Sequence, residues 1–477
     1  MNELILVTGA NGYVGSRLTK ALLAQKKRVR AMMRRRDYIE AAPAPVAEWV
    51  VGDALDKGSL DSVLKGITTA YYLIHSMGAE EEFTHLDRQA ASNFAEAAKQ
   101  AGVSRIVFLG GLGVASDDLS THLKSRQETG LILASTGVQV IELRAAIIIG
   151  AGSLSFELIR SLVERLPVMV TPKWVGVKTQ PIYIGDVIKY LLEAAEIRTD
   201  ESHVFEIGGP DVYSYRDLMD KYARLRKLHR LIIPVPFLTP RLSSLWLQFV
   251  TPIYARVGRK LIASLSNRTL VRDKDAERYF SVKPIHILDA LQRSESEEQS
   301  DYSEVRWADV DTYVSQAKLY PNVFSYGHRL YESQLAIVKA PREQIFAEIA
   351  SLGGKKGWPY ANWLWVIRGA MDTIFGGVGL RRGRRHPTQI QVGDAVDFFR
   401  VQKIVPNEIL LLYAEMRLPG RAWLQFELKD KDGATEICQT ATFDPKGLFG
   451  LVYWYGLLPV HLFIFKGLLK SIVRRFS

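Results

Sequence analysis

The stretch that most restricts what this chain can fold into is its beginning, where Leu4-Ile5-Leu6-Val7-Thr8 runs into Gly9-Ala10-Asn11-Gly12-Tyr13-Val14-Gly15. The apolar run reads as a short buried strand. The residues after it, Ser16 to Leu23, repeat apolar side chains at three- and four-residue steps, the spacing of a helix. Each glycine answers a different demand at such a junction. Gly9 permits a tight turn, Gly12 lets the backbone approach a pyrophosphate, and Gly15 lets the helix pack close to the strand. The helix N-terminus adds amides and the positive end of its dipole. The junction predicts a dinucleotide site built from Gly9, Asn11, Gly12, Tyr13, Val14 and Gly15.

A second strand-like run, Arg28-Val29-Arg30-Ala31-Met32-Met33, ends in Arg34-Arg35-Arg36. The position about twenty residues past the last glycine selects the cofactor: a carboxylate there binds the ribose 2′-hydroxyl of NAD, whereas arginine accommodates the 2′-phosphate of NADP. No acid appears between the glycine loop and Asp37. The expected cofactor is therefore NADP(H), with Arg34 as first phosphate ligand and Arg35 as second. Further strand-like runs lie at Trp49 to Ala54, Ala70 to His75, Arg105 to Leu109 and Val138 to Arg144, separated by helical stretches. Strands alternating with helices predict an α/β, Rossmann-type, doubly wound parallel sheet.

The glycine loop, Gly52-Asp53, Leu143-Arg144 before Gly150, Gln180 to Val187 and Phe205 to Pro210 follow one another as an ordered series. In this series residues 1–293 resemble the extended and atypical short-chain dehydrogenase/reductases. The resemblance implies that Asp53 and Ala54 lie against the adenine and that Ile74, His75 and Ser76 flank the ribose and the nicotinamide side. Enzymes of that superfamily use a tyrosine to move a proton to or from the substrate oxygen, and a lysine four residues later to lower its pKa. This chain reads Ser120-Thr121-His122-Leu123-Lys124-Ser125-Arg126 there, so the pair is missing. Two registers remain, Ser120 with Lys124 or His122 with Arg126, and counting back from Arg144 favours the second. His122 then stands as candidate proton donor near neutral pH. Arg126 stands as a group that can hold a ribose hydroxyl or phosphate but cannot deprotonate.

At 477 residues the chain exceeds one ordinary core, and its net charge of +11 suits an anionic partner, dinucleotide or membrane surface. No basic-aromatic module points to nucleic acid. Cys438 is the only cysteine, which excludes an internal disulfide, and the nine histidines show no metal-ligand spacing. With a strand beginning by about residue 3 and no charged leader, the N-terminal domain is expected in the cytoplasm.

Ser294 to Glu304 is acidic and serine-rich, and residues 294–327 are read as the linker. From 328 the pattern changes: a strand from Leu330 to Val338, helices from Pro341 to Ala350 and Trp358 to Phe375, four strands between 395 and 443, and a long helix from Gly447. This order resembles the helix-grip (START-like) fold, and the whole chain resembles the YbjT-like bacterial proteins, in which a reductase-like domain precedes a domain of unknown function. The grip implies a small apolar or aromatic ligand between sheet and helix. Gly447 to Phe465 carries no formal charge, and Lys466, Lys470 and Arg474 follow at four-residue steps. A packed grip helix, an interfacial helix on an anionic membrane, joined by the Arg381-Arg382-Gly383-Arg384-Arg385 loop, and a true span are the alternatives. Three functions stay open: an NADP-dependent oxidoreductase or isomerase for an apolar carbonyl, quinone or lipid-like substrate; a non-catalytic NADPH-binding protein like the redox-sensing regulators or the accessory subunit of respiratory complex I; and a membrane-peripheral lipid or quinone carrier.

Overall fold

A computed structural model describes residues 3–34, 48–74, 80–113, 119–235, 266–301, 323–326, 329–380, 390–431 and 433–476. Arg35, His75, Ser76 and the loop 381–385 lie outside these described residues. The chain divides into two compact units, the first reaching Asp301 apart from Glu164–Pro167, which group with the second, and the second holding the described residues from Val323 on.

Seven strands of the first unit share one sheet: β1 (Leu4–Thr8), β2 (Arg28–Met33), β3 (Glu48–Val51), β4 (Thr69–Tyr72), β5 (Arg105–Gly111), β6 (Gln139–Ala145) and β7 (His203–Ile207). Their order is β7-β6-β5-β4-β1-β2-β3, and every pair is parallel. Helices α1 (Tyr13–Ala24), α2 (Lys57–Leu64), α3 (Glu80–Gln100), α4 (Thr121–Ala134), α5 (Ile184–Ala194) and α6 (Tyr215–Leu225) connect or flank the strands. All four residues of β4 are buried, as a strand covered on both faces requires. One side of the sheet packs Leu6, Tyr72 and Phe108 against Leu60 of α2 and Phe94 of α3. On α5, the Leu191 carbonyl accepts the Tyr71 hydroxyl at 3.0 Å. The strand order reverses between β1 and β4, the place where open α/β sheets leave a crevice for a ligand.

Helix α7 (Ile287–Asp301) moves the first domain's end beyond 293. Ser294, expected to open the linker, is buried, and its hydroxyl closes on the Ala290 carbonyl at 2.6 Å. Serine that bonds back one turn is compatible with a helix interior. The expected linker also contains a strand, β8 (Val323–Tyr326), paired antiparallel with β9 (Arg329–Val338).

The second unit continues with β10 (Ala395–Val396), β11 (Phe399–Val405), β12 (Ile409–Ala414), β13 (Gly420–Lys431) and β14 (Ala434–Pro445). They form an antiparallel sheet in the order β8-β9-β14-β13-β12-β11-β10. Helices α8 (Arg342–Ala350), α9 (Asn362–Ile374) and α10 (Gly447–Val473) complete it. Helix α9 starts four residues later than its apolar pattern suggests. The chain takes positive φ at Gly357 and Ala361, and Asn362 accepts the Trp358 N–H at 3.0 Å. Trp358 instead stacks on Trp365, centroids 4.1 Å apart, and donates its indole N–H to Asp397 at 2.8 Å. Along α10, Trp454 stacks on Phe443 of β14 at 5.6 Å, and the Phe465 carbonyl accepts Gln439 Nε2 at 3.1 Å. The helix therefore lies on one face of the sheet, and Leu468 and Ile472 end its packed stripe in the core.

Candidate functional site

The turn after β1 has the geometry its glycines imply. Gly9 takes φ +60°, and a side chain there would meet the Leu73 carbonyl at 3.0 Å. Gly15 is needed for a different reason: a Cβ would stand 2.2 Å from the Gly9 carbonyl oxygen. Gly12 N–H closes the turn on Gly9 O at 2.8 Å, and Gly12 sits at the N-cap of α1 without a side-chain cap. The first turn of α1 carries no acid. A helix start with amides facing forward, no capping side chain and no negative charge fits a pyrophosphate. Tyr13, expected beside it, carries the Arg17 guanidinium on its ring at 4.2 Å, and Arg17 also reaches Ala151 O at 3.0 Å. Asn11 is exposed on the loop, and Val14 is half-buried in the first turn of α1.

Across the switch point, Thr8 joins β1 to β4. Its hydroxyl donates to Tyr71 O and accepts the Leu73 N–H, both at 3.0 Å. On the other side, the Ala10 N–H bonds to Met32 O at 3.3 Å, so the end of β2 is held at the glycine turn. Arg34 leaves that end two residues later and is exposed. Asp53 is half-buried past β3, and its carboxylate takes the Leu55 N–H at 3.0 Å, shaping the turn in which Ala54 is buried. Asn93 of α3 secures the same turn by donating to the carbonyls of Ala54 and Leu55 at 3.0 and 3.2 Å. Neither Thr8 nor Asn93 was expected to act here. A hydroxyl ending an apolar strand and an amide on the apolar side of a helix were the available signals.

The structure separates the two registers on α4. Ser120 is the N-cap, its hydroxyl accepting the Leu123 N–H at 3.3 Å, and Lys124 is exposed. Arg126 is buried and points at the strand ends instead. It donates to the carbonyls of Ile74, at 3.2 Å, and Leu109, and lies over the Phe108 ring at 4.7 Å. Burial pulls its pKa below the ordinary arginine value, with Asp87 acting in the opposite sense. Arg126 thus ties the ends of β4 and β5 together at Ile74 and Leu109, and its hydrogen bonds go to main chain. His122 stands one turn earlier, on the same face and half-buried. At the end of β5, Gly110 makes room for a buried carboxylate: a Cβ there would stand 2.6 Å from Glu142 Oε1. Burial raises the Glu142 pKa, and the bond from Arg144 at 2.7 Å opposes this.

In the second unit the side chains between sheet and helices are mostly apolar and aromatic, and the buried polar ones on the covered face include Glu332 and Gln334 on β9 and Gln439 on β14. Gln334 Nε2 donates to Glu332 Oε1 at 3.3 Å, while Glu332 Oε2 and Gln439 Oε1 find no hydrogen-bond partner among the described residues. Burial pushes the Glu332 carboxyl up to about 7. On α10, burial and Arg368 together bring the His461 imidazole down to about 4. No group of three or more metal-ligating side chains occurs among the described residues.

Comparisons with known proteins agree with this division. Residues 9–142 match an NAD(P)H-binding family, and residues 327–468 match a family of proteins of unknown function, DUF2867. Over 112 residues the chain is 31% identical to sterol demethylase protein B of Methylococcus capsulatus, covering 23% of this chain and 34% of that one. Over 168 residues it is 26% identical to ceramide reductase of Caulobacter vibrioides, covering 35% and 53%. The chain thus matches about a third to a half of the length of these relatives. An epimerase structure from Methanothermobacter thermautotrophicus superposes with a TM-score of 0.51 at 15% identity, covering 64% of this chain and 94% of that one. That likeness concerns the fold. The first domain is an NAD(P)-binding Rossmann domain with the fold of oxidoreductases and epimerases, and a separate antiparallel domain follows it.

Proposed function

We propose that the protein is an NADP-dependent oxidoreductase or isomerase of the cytoplasm, acting on an apolar carbonyl compound of quinone or lipid type. The observation that carries the cofactor choice is Arg34 at the end of β2, beside the glycine turn, where an acid would select NAD. NADPH would supply hydride there. Of the chain's own groups, the turn from Gly9 to Gly15 binds the pyrophosphate and Arg34 the 2′-phosphate. Arg126 fixes the crevice wall at Ile74, and His122 is the proton donor to the substrate oxygen. The names of two matched relatives, a ceramide reductase and a sterol demethylase protein, support a lipid-like substrate. The second domain would be helix-grip-like and bind a small apolar or aromatic ligand.

Fluorescence titration tests the cofactor: NADPH should bind more tightly than NADH, and Arg34→Ala should weaken NADPH about tenfold or more while leaving NADH unchanged. Equal affinities in the native protein would end the assignment. Turnover is tested by NADPH consumption with a panel of quinones and aldehydes, where His122→Ala should slow the reaction without changing NADPH affinity. A second reading, non-catalytic NADPH binding, is favoured by one observation: the missing tyrosine–lysine pair is replaced by His122 and a buried Arg126 engaged with main-chain carbonyls. Tight NADPH binding without consumption across the panel would select it.

A further inference from the structure

A helix on the surface of a soluble domain turns its apolar stripe inward and its polar stripe to water. Helix α10 does not. Its inward stripe, through Gly450, Trp454, Leu458, Leu468 and Ile472, is buried. Its outward stripe is apolar as well: Phe449 is 73% exposed and Phe463 55%, with Val452, Tyr455 and Val460 exposed between them. Only 17% of its most apolar stretch is buried, so this is not an ordinary core helix. The outward face then continues into Lys466, Lys470 and Arg474, all exposed.

Helix α9 repeats the arrangement. Trp365, Gly369 and Asp372 face inward, whereas Trp363, Ile367, Met371, Ile374 and Phe375 are exposed. The two helices are neighbours. Arg368 donates to the Tyr453 hydroxyl at 3.4 Å, and Tyr360, just before α9, packs on Phe463 with centroids 5.2 Å apart. Later residues of α9 therefore lie by earlier residues of α10, and the two apolar stripes run side by side.

We propose that the outer faces of α9 and α10 form a docking surface for an anionic phospholipid bilayer, with both helices lying in the plane of the headgroups. Contiguous exposed apolar stripes rimmed by polar residues mark protein or membrane interaction sites. Trp, Tyr and Phe beside lysines and arginines are the residues that settle at the level of the headgroups. From Gly447 to Ser477 the chain carries no acid, so nothing on α10 opposes a negative surface. Spanning is excluded by the inward stripe: Trp454 and Gln439 bind the helix to the sheet, and open sheet edges cannot enter hydrocarbon. The proposal is independent of the chemistry assigned to the first domain.

The test floats full-length protein with vesicles of phosphatidylcholine, alone or mixed with phosphatidylglycerol. Native protein should float with the anionic vesicles and more weakly with the neutral ones. Phe449→Asp with Phe463→Asp should lower the partition coefficient about a hundredfold on both. Lys466→Gln with Lys470→Gln should lower it about twentyfold on anionic vesicles alone. Because Phe463 also packs on Tyr360, Phe449→Asp alone is the control: it should lower the coefficient about tenfold with circular dichroism and NADPH affinity unchanged. Native protein that floats with neither vesicle, or a double Phe→Asp variant that floats like the native chain, overturns the proposal. So does a lipid-free dimer that Phe449→Asp dissociates, because the face would then join two copies of the chain.

Discussion

The crevice of the parallel sheet and the covered face of the antiparallel sheet handle polar groups in opposite ways. At the crevice the main chain does the binding, and side chains serve it: Thr8, Asn93 and Arg126 all spend their hydrogen bonds on backbone groups. Under α10 the polar atoms belong to side chains, and Glu332 and Gln439 are buried with an oxygen each left without a described partner. The first arrangement holds one shape for a ligand whose phosphates want amides. The second holds titratable groups in a low-dielectric interior, where small changes in charge become changes in stability.

The strongest way to break this contrast is at Gly15. Valine there would place a Cβ 2.2 Å from the Gly9 carbonyl, and NADPH titration should show binding lost altogether, with a lower melting temperature. Arg126→Leu is next. It strips two part-buried carbonyls of their donor, at a cost of about 2 kcal/mol by urea denaturation. NADPH affinity that fell while stability held would return Arg126 to direct ribose contact.

Glu332 sharpens the other side. Its folded pKa of about 7 lies above its ordinary 4.5, so the fold favours the protonated form. The associated stability is fully present below the unfolded pKa and is lost as pH rises through the folded one. Urea denaturation should find the native chain about 3 kcal/mol less stable at high pH than at low pH on this account, and Glu332→Gln should remove that loss. His461, lowered to about 4, works in reverse: its contribution is present above the ordinary histidine pKa and disappears as pH falls through the folded value. The smallest effect is expected at α6, where Ser214 and Asp217 form a reciprocal capping box. Ser214→Ala should cost about 1 kcal/mol and leave NADPH affinity untouched.

Much of this was legible in the residues because it follows from local rules. The strand–glycine–helix junction, the alternation behind the Rossmann sheet and the apolar period of the later strands each arise within a few residues, and the structure shows them near the expected positions. The linker was misplaced because acidic, serine-rich composition outweighed a helical continuation that depends on burying Ser294. Helix α9 began late because two positive-φ residues interrupt an unbroken apolar pattern.

From its residues alone, then, the chain commits to a dinucleotide turn, an arginine in place of an acid, and no tyrosine–lysine pair. Those are matters of local backbone geometry and residue chemistry. The fold had to decide that Arg126, rather than Lys124, turns to the strand ends, because only the packing of α4 on β5 sets which helical face is buried. It also decided that α10 is covered on one side only. A helix apolar all round looks the same in sequence whether its second face meets protein, lipid or water, and only its neighbours show which face remains open.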